Sequence, residues 1–241
     1  SDMARGAARV MGFKLMVNFR RPYAARSVQE FWSRWHISLS TWFRDYVYIP
    51  LGGSRCGHAR TVRNLWVTFL ISGLWHGANW TFVVWGGING IYVAFQSLWG
   101  GMMKKTGGQA RFCVPSGLYV AGTFSLICLA WIFFRAETAA QGGLIVKRIL
   151  MFAGDLPGLM MNGMAGYISG KGWALTRMEL LLVFVFILGM EVIEYAHEHH
   201  DMGCLLRQWP AWMRWSAYYV LSGVIVVFGV FGNNQFIYFQ F

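Results

Sequence analysis

The sequence predicts an all-α, multi-pass transmembrane helical protein with about five membrane spans and one interfacial amphipathic helix, and three observations carry that expectation. Of the 241 residues, 56% are hydrophobic and only 13% charged, whereas soluble domains carry roughly 25% charged residues. Apolar runs of spanning length recur along the chain. Ahead of the first of them, aromatic and aliphatic residues return at helical spacing on a segment that is otherwise polar and basic.

The formal charge of +11 would suggest nucleic acid in a polar protein, because basic patches neutralise phosphates. Here the hydropathy overrules it, and no nucleic-acid partner is expected. Residues 1–63 hold eleven Lys and Arg against three Asp and Glu, which is +8 of the total. That placement suits a cytoplasmic, positive-inside flank close to anionic headgroups, so membrane lipid is the first partner expected. Cys56, Cys113, Cys128 and Cys204 have no ligand-like spacing and read as reduced fillers, Cys128 within a membrane core. The chain opens Ser1-Asp2-Met3 without a basic n-region or signal-peptide core and reads as a fragment or processed piece.

With no internal repeat, one membrane domain over 1–241 is the simplest organisation. It has a basic interfacial and cytoplasmic region (1–63), a histidine-bearing span with the span after it (64–99), and the remaining spans (100–241). In the first region Ser27 and Glu30 form an S-x-x-E capping box. Val28, Phe31, Trp32, Trp35, Leu39, Trp42, Phe43 and Tyr46 follow, within one arc of about 120° on a helix, opposite Glu30, Arg34, Thr41, Arg44 and Asp45. A helix over 28–46 is expected to lie in the interface plane, with Trp32, Trp35 and Trp42 buried and Glu30 and Arg44 exposed. Pro50 and Gly52-Gly53 end it.

Spans are expected near 65–83, 82–99, 116–134, 179–195 and 215–232, the first two almost continuous. Between them lie a Gly/Lys loop (100–111) and a Gly-rich segment (142–173), whose LIVKRILMF piece reads as a re-entrant or interfacial helix. Gly86 and Gly90 make a small-xxx-small pair, best explained as a helix-packing seam. Arg135, after WIFF at a span end, reads as a snorkelling cation. Glu191, Glu194, His197, Glu198, His199, His200 and Asp201 have metal-ligand residue types, but a di-iron carboxylate site needs a second Glu-x-x-His helix. They read as a solvated polar helix end.

His76, in LWHGANW, lies inside a long uncharged run. A buried ionisable group there is either paired or functional. For a helix starting near Asn64, His76 would sit about 18 Å along it, near the middle of a ~30 Å hydrocarbon layer. Ser72, Gly73, Asn79 and Trp80 share its small, polar face. A neutral imidazole in a tunnel suits a general base for a hydroxyl attacking an acyl carbonyl; the plain alternative is a histidine that only hydrogen-bonds a neighbouring helix. His36, at the edge of the aromatic stripe, is either an interfacial histidine satisfied by backbone or a second active-site residue. Ser72, a conceivable nucleophile, joins Trp75 and Asn79 beside His76, and Arg44, as substrate-binding candidates. Arg20, Arg21, Arg26, Arg34 and Arg44 could steer phosphates of an acyl donor, although positive-inside anchoring accounts for them as well.

The stretches FWSRWHISLSTWFRDYVYIPLGGSR and RNLWVTFLISGLWHGANWTFVVWGGINGIYVAF resemble the signature region of the membrane-bound O-acyltransferase superfamily. They are closest to the branch of the alginate O-acetyltransferase membrane subunit and the D-alanine transfer protein of teichoic acid synthesis. SDMARGAARVMGF, WIFFRAET and QFIYFQF add to the likeness. Two histidines characterise the family, one matching His36 in W-H-I-S and the catalytic one matching His76 in W-H-G. The resemblance implies a multi-pass inner-membrane enzyme that O-acetylates an exopolysaccharide or cell-envelope glycan. His76 would be its base and His36 an assisting group. The implied acyl donor is acetyl-CoA or an acyl carrier, with a periplasmic acceptor or polysaccharide-modifying partner and no metal or tightly bound cofactor. Members are usually longer, so the chain resembles a C-terminal half. Its missing N-terminal half would be a partner, and part of the His76 face should be exposed where that half belongs. The competing class is a non-catalytic scaffold or conduit whose histidines only line a passage.

Overall fold

The computed structural model describes residues 2–105, 115–162, 177–199 and 202–229, and every regular element among them is helical. The chain divides into two units, Ser1–Ala174 and Leu175–Phe241. The first holds α1 (Asp2–Val10), a 3-10 turn (Pro22–Ala24), α2 (Val28–Arg34), α3 (Ile37–Phe43), a π turn (Arg44–Tyr48), α4 (His58–His76), α5 (Trp80–Lys105), α6 (Ser116–Arg135) and α7 (Ala139–Asn162). The second holds α8 (Arg177–His199), α9 (Met202–Gln208) and α10 (Ala211–Phe228). Among the described residues, α6 and α10 are long and apolar enough to cross a membrane.

The expected helix over 28–46 is divided. Its start is as anticipated: Ser27 Oγ accepts from the Glu30 N–H at 3.1 Å. The Glu30 carboxylate reaches back one residue further than in the usual box, to the Arg26 N–H at 2.8 Å, and pairs with Arg34. Glu30 is therefore half-buried rather than exposed. The helix stops at Trp35, whose backbone is extended, and restarts after His36, held at φ 43° and ψ 56°. The cause is tertiary. Asn18 takes both leading amides of α3, its carbonyl accepting from Ile37 N (3.0 Å) and its side chain from Ser38 N (2.9 Å), while Arg20 N donates to Arg34 O. After the break the arc turns: Phe43 is buried, but Trp42 (47% exposed) and Tyr46 face outward, contrary to the expectation for Trp42.

The core of this unit joins Ala25, Val28 and Phe31 to Val93 of α5 and Ile127 of α6, with Trp32, Trp35 and Trp131 packed against them. Polar ties fix the attachment of α2 to α5: Gln29 N donates to Gln96 Oε1 (3.1 Å) and Trp32 Nε1 donates to Asn89 Oδ1 (3.3 Å). Asn64 of α4 is fully buried and donates to the carbonyls of Leu51 and Gly53, pinning the loop before α4.

Two boundaries differ from expectation in a way that matters for the site. Helix α4 starts at His58, not near Asn64, and ends at His76, so the histidine occupies a helix terminus rather than a mid-helix position. Gly77 (φ 155°, ψ 157°) leaves the helix, and Asn79 caps α5 by accepting from Thr81 N at 3.1 Å. The expected first span is thus interrupted at 77–79, and α4 and α5 form a hairpin. Their seam is very close. A Cβ on Gly73 would strike the Phe82 carbonyl, one on Gly86 the Phe69 carbonyl, and one on Gly90 would lie 2.8 Å from the Trp66 ring. The seam expected at Gly86 and Gly90 is therefore present, with Gly73 as its partner.

The Gly/Lys loop is helical as far as Lys105, and 106–111 lies outside the described residues. Likewise 139–162 is one helix, with 163–173 outside them. Arg135 is exposed at the end of α6, as a snorkelling cation should be. In the second unit α8 carries Glu191, Glu194, His197, Glu198 and His199, the last with Nδ1 2.9 Å from Tyr195 O; His200 and Asp201 lie outside the described residues. Cys56 and Cys128 are free thiols, Cys204 Sγ accepts from Gln208 Nε2 at 3.9 Å, and Cys113 lies outside the described residues.

Candidate active site

His76 is 8% exposed, enclosed by rings from three helices. Its imidazole lies 5.2 Å from Trp85 and 6.3 Å from Phe82 of α5, 5.1 Å from Phe134 of α6, and 5.0 Å from Trp75. Phe134 in turn lies 5.1 Å from Phe82 and 5.3 Å from Trp85. Edge-to-face geometry dominates, as the ring quadrupoles favour. The expected exposure of the His76 face is met only in part: His76 and Ser72 are buried, while Asn79 and Trp80 are exposed. An imidazole at a helix terminus, beside a sharp glycine turn and inside an aromatic box, is shielded from bulk water.

His36 joins the same aromatic cluster through Phe19, whose ring lies 6.0 Å from the imidazole and 4.8 Å from Trp35. Trp35 packs on Trp131 and Trp131 on Phe134, the ring that meets His76. Burial holds the His36 pKa below the ordinary imidazole value of 6.5. His36 Nδ1 is buried with no hydrogen-bond partner among the described residues. The left-handed backbone here is an uncommon conformation for a non-glycine residue, and such conformations cluster at functional sites.

The remaining candidates divide. Ser72 is buried one turn before His76 on α4. Trp75, 51% exposed, bridges the site to α3 through Phe43 at 6.3 Å. Asn79 Oδ1 caps α5 and its Nδ2 donates to Glu137 O at 3.3 Å, joining the hairpin tip to the chain beyond α6. Arg44 lies exposed in the π turn, its guanidinium held by Asp45 at 2.8 and 3.3 Å. That hydrogen bond holds the Asp45 carboxyl below its ordinary range. Arg44 would have to leave Asp45 to meet a phosphate.

Sequence reasoning missed Trp85, Trp131 and Phe134, which complete the box. A signal existed for α6, because Thr123, Ile127, Ala130 and Phe134 recur at helical spacing and Thr123 is out of place on a lipid-facing stripe. Nothing local marked Trp85.

Comparison with known proteins bears on the same residues. The family model described as "MBOAT, membrane-bound O-acyltransferase family" matches residues 2–136, more than half of the chain. The chain is 50% identical over 137 residues to the "Probable alginate O-acetylase AlgI" of Pseudomonas putida, a match covering 57% of this chain and 27% of that protein. It is 42% identical over 146 residues to the peptidoglycan O-acetyltransferase of Helicobacter pylori, covering 61% and 27%. With the teichoic acid D-alanyltransferase of Streptococcus thermophilus it shares 33% identity over 152 residues, covering 56% and 36%. The chain thus corresponds to only part of the length of each relative. The matched region contains α1 to α6, both histidines and the whole aromatic box, and the chain belongs to the membrane-bound O-acyltransferase family.

Proposed function

We propose that this chain carries the reaction centre of a multi-pass inner-membrane O-acyltransferase that acetylates a hydroxyl of an exopolysaccharide or cell-envelope glycan. The observation that carries the reading is the burial of His76 in an aromatic box that a chain of ring contacts through Trp131, Trp35 and Phe19 joins to His36. Related proteins named for acetyl transfer to alginate and peptidoglycan support the acyl and acceptor classes.

In this reading His76 takes the proton of the acceptor hydroxyl as its oxygen attacks the acyl carbon. The C–O ester bond forms, the bond from the acyl carbon to the donor's sulfur breaks, and the proton passes by way of His76 to the departing thiolate. Nothing is oxidised or reduced. His36 assists by holding the reactants against His76, and Trp75 and Ser72 border the path. The donor is acetyl-CoA or an acyl carrier reaching the site from the basic cytoplasmic flank. The acceptor is met outside, directly or through a periplasmic partner, and no metal is called on. About five spans, with the rest of a longer protein around them, complete the site.

The test is labelled acetyl transfer per unit of inserted full-length protein, assayed with its pathway partners. His76→Ala should lose ~10² to 10⁴ of the rate, the usual worth of a general base, while insertion is unchanged. His36→Ala should lose less. Near wild-type transfer by His76→Ala would end the base assignment and leave the conduit reading in its place.

A further inference from the structure

The aromatic box includes the indole of Trp131, a hydrogen-bond donor that the reaction as written does not use. Trp131 of α6 packs edge-on to Trp35 (5.2 Å) and Phe134 (5.2 Å) and lies 6.2 Å from Trp85. Phe134 and Trp85 are the rings that touch His76, and Trp35 precedes His36. The Trp131 indole nitrogen is buried and has no acceptor among the described residues. Indole N–H can only donate, and a buried donor without an acceptor is unfavourable and uncommon in native structures. By contrast Trp32, which also packs on Trp85, gives its N–H to Asn89. Of these two indoles, the one that packs on both Phe134 and Trp35, the neighbours of the two histidines, is the one without an acceptor among the described residues.

We infer that Trp131 is a substrate-contacting residue whose indole N–H donates to the carbonyl oxygen of a thioester-bound acyl group lying between His36 and His76. The inference rests on the acyltransferase reading of the site. It adds what that reading lacked, a donor for the oxygen that gains charge as the hydroxyl attacks. A preorganised donor in a dry site favours the charged tetrahedral stage over the ground state. Trp131 sits one turn before the end of α6, with Ile127 and Ala130 buried around it, so the ring is held rigidly enough for that task.

The experiment uses the full-length protein with acetyl-CoA labelled with carbon-13 at the carbonyl. In a His76→Gln background, where turnover should stop, the infrared stretch of the bound carbonyl is compared with Trp131 intact and with Trp131 replaced by 3-benzothienylalanine. That analogue keeps the shape and puts sulfur in place of the N–H. A band below the free thioester value that rises on replacement supports the inference. An unmoved band, or no bound band at all, overturns it and leaves the base assignment standing. With His76 intact, the same replacement and Trp131→Phe should slow single-turnover acetyl transfer by about 10²-fold. A loss of folded yield at unchanged transfer per folded molecule would mean that Trp131 only packs. Wild-type transfer by the His76→Gln protein would overturn both the base assignment and this inference.

Discussion

Helices α4 and α5 carry His76 and its polar surroundings, whereas α6, which adds Phe134 and Trp131 to the box, and α10 are the two that hydropathy picks out as membrane-crossing among the described residues. The contrast is sharpest between α4–α5 and α10. The hairpin buries Asn64, Ser72, His76, Thr81 and Asn89 and brings two backbones together over glycines. Helix α10 has no buried residue and is apolar nearly throughout. A helix that serves only as a span can be uniformly apolar. The hairpin that holds the imidazole carries polar side chains and glycines, and these lower its hydropathy. Helix α6, which adds rings to the box, stays apolar enough to cross.

The largest test of this contrast is Gly86→Val. Its side chain would meet the backbone carbonyl of Phe69, which cannot rotate away as a side chain can. Overpacking costs typically ~1–3 kcal/mol, and a clash with backbone belongs at the upper end or above. The hairpin should open and carry Trp85 away from His76, so both thermal stability in detergent and acyl transfer should fall. A variant with wild-type values of both would show that the seam is looser than the structure has it.

Asn89→Leu should have the next effect. It removes the acceptor of Trp32 Nε1 and leaves that donor buried, a loss of about 1–3 kcal/mol. Adding Trp32→Phe should recover part of the loss, because both ends of the bond are then gone. A double variant with the simple sum of the two single losses would mean that the hydrogen bond is incidental.

What was readable in the sequence follows the same division. The all-helical class, the capping box at Ser27, the glycine seam and both histidines were legible because each is a local pattern with one physical cause. The break at Trp35 and His36 was not, because the apolar period runs on undisturbed while Asn18, far back in the chain, captures the amides of Ile37 and Ser38. The end of α4 at His76 could have been read from Gly77 and Asn79, a helix-stop glycine followed by a helix-start asparagine. Hydropathy averaged across them hid the turn. The enclosure of His76 was out of reach, since Trp85 and Phe134 are brought to it only by the packing of three helices.

The break at His36 also predicts a pH dependence. His36 is neutral in the fold below its ordinary value of 6.5, because burial disfavours the imidazolium. Above that value both folded and unfolded chains carry a neutral ring and the stability is complete. As pH falls from 6.5 toward the lowered folded value, the unfolded chain binds the proton first, so stability is lost. The melting midpoint of the full-length protein should drop between pH 7.5 and 5.5. His36→Asn, which also tolerates the left-handed backbone, should shrink that drop. His76 is the titratable neighbour, so an undiminished drop in His36→Asn would assign the dependence to groups other than His36.

The smallest effect is expected where the contrast began, on α10. Val226 is 69% exposed there, and Val226→Ala removes two methyl groups from a side chain that meets little of the described protein. Exposed substitutions of this kind usually fall within about ±0.5 kcal/mol. In a bilayer the lost contacts are with lipid tails, which close around the smaller residue at little cost. Melting midpoint and transfer should both stay at wild-type values. A loss comparable with that of Asn89→Leu would mean that α10 is packed against protein in the assembled enzyme. The contrast between a site-building hairpin and a plain span would then have to be withdrawn.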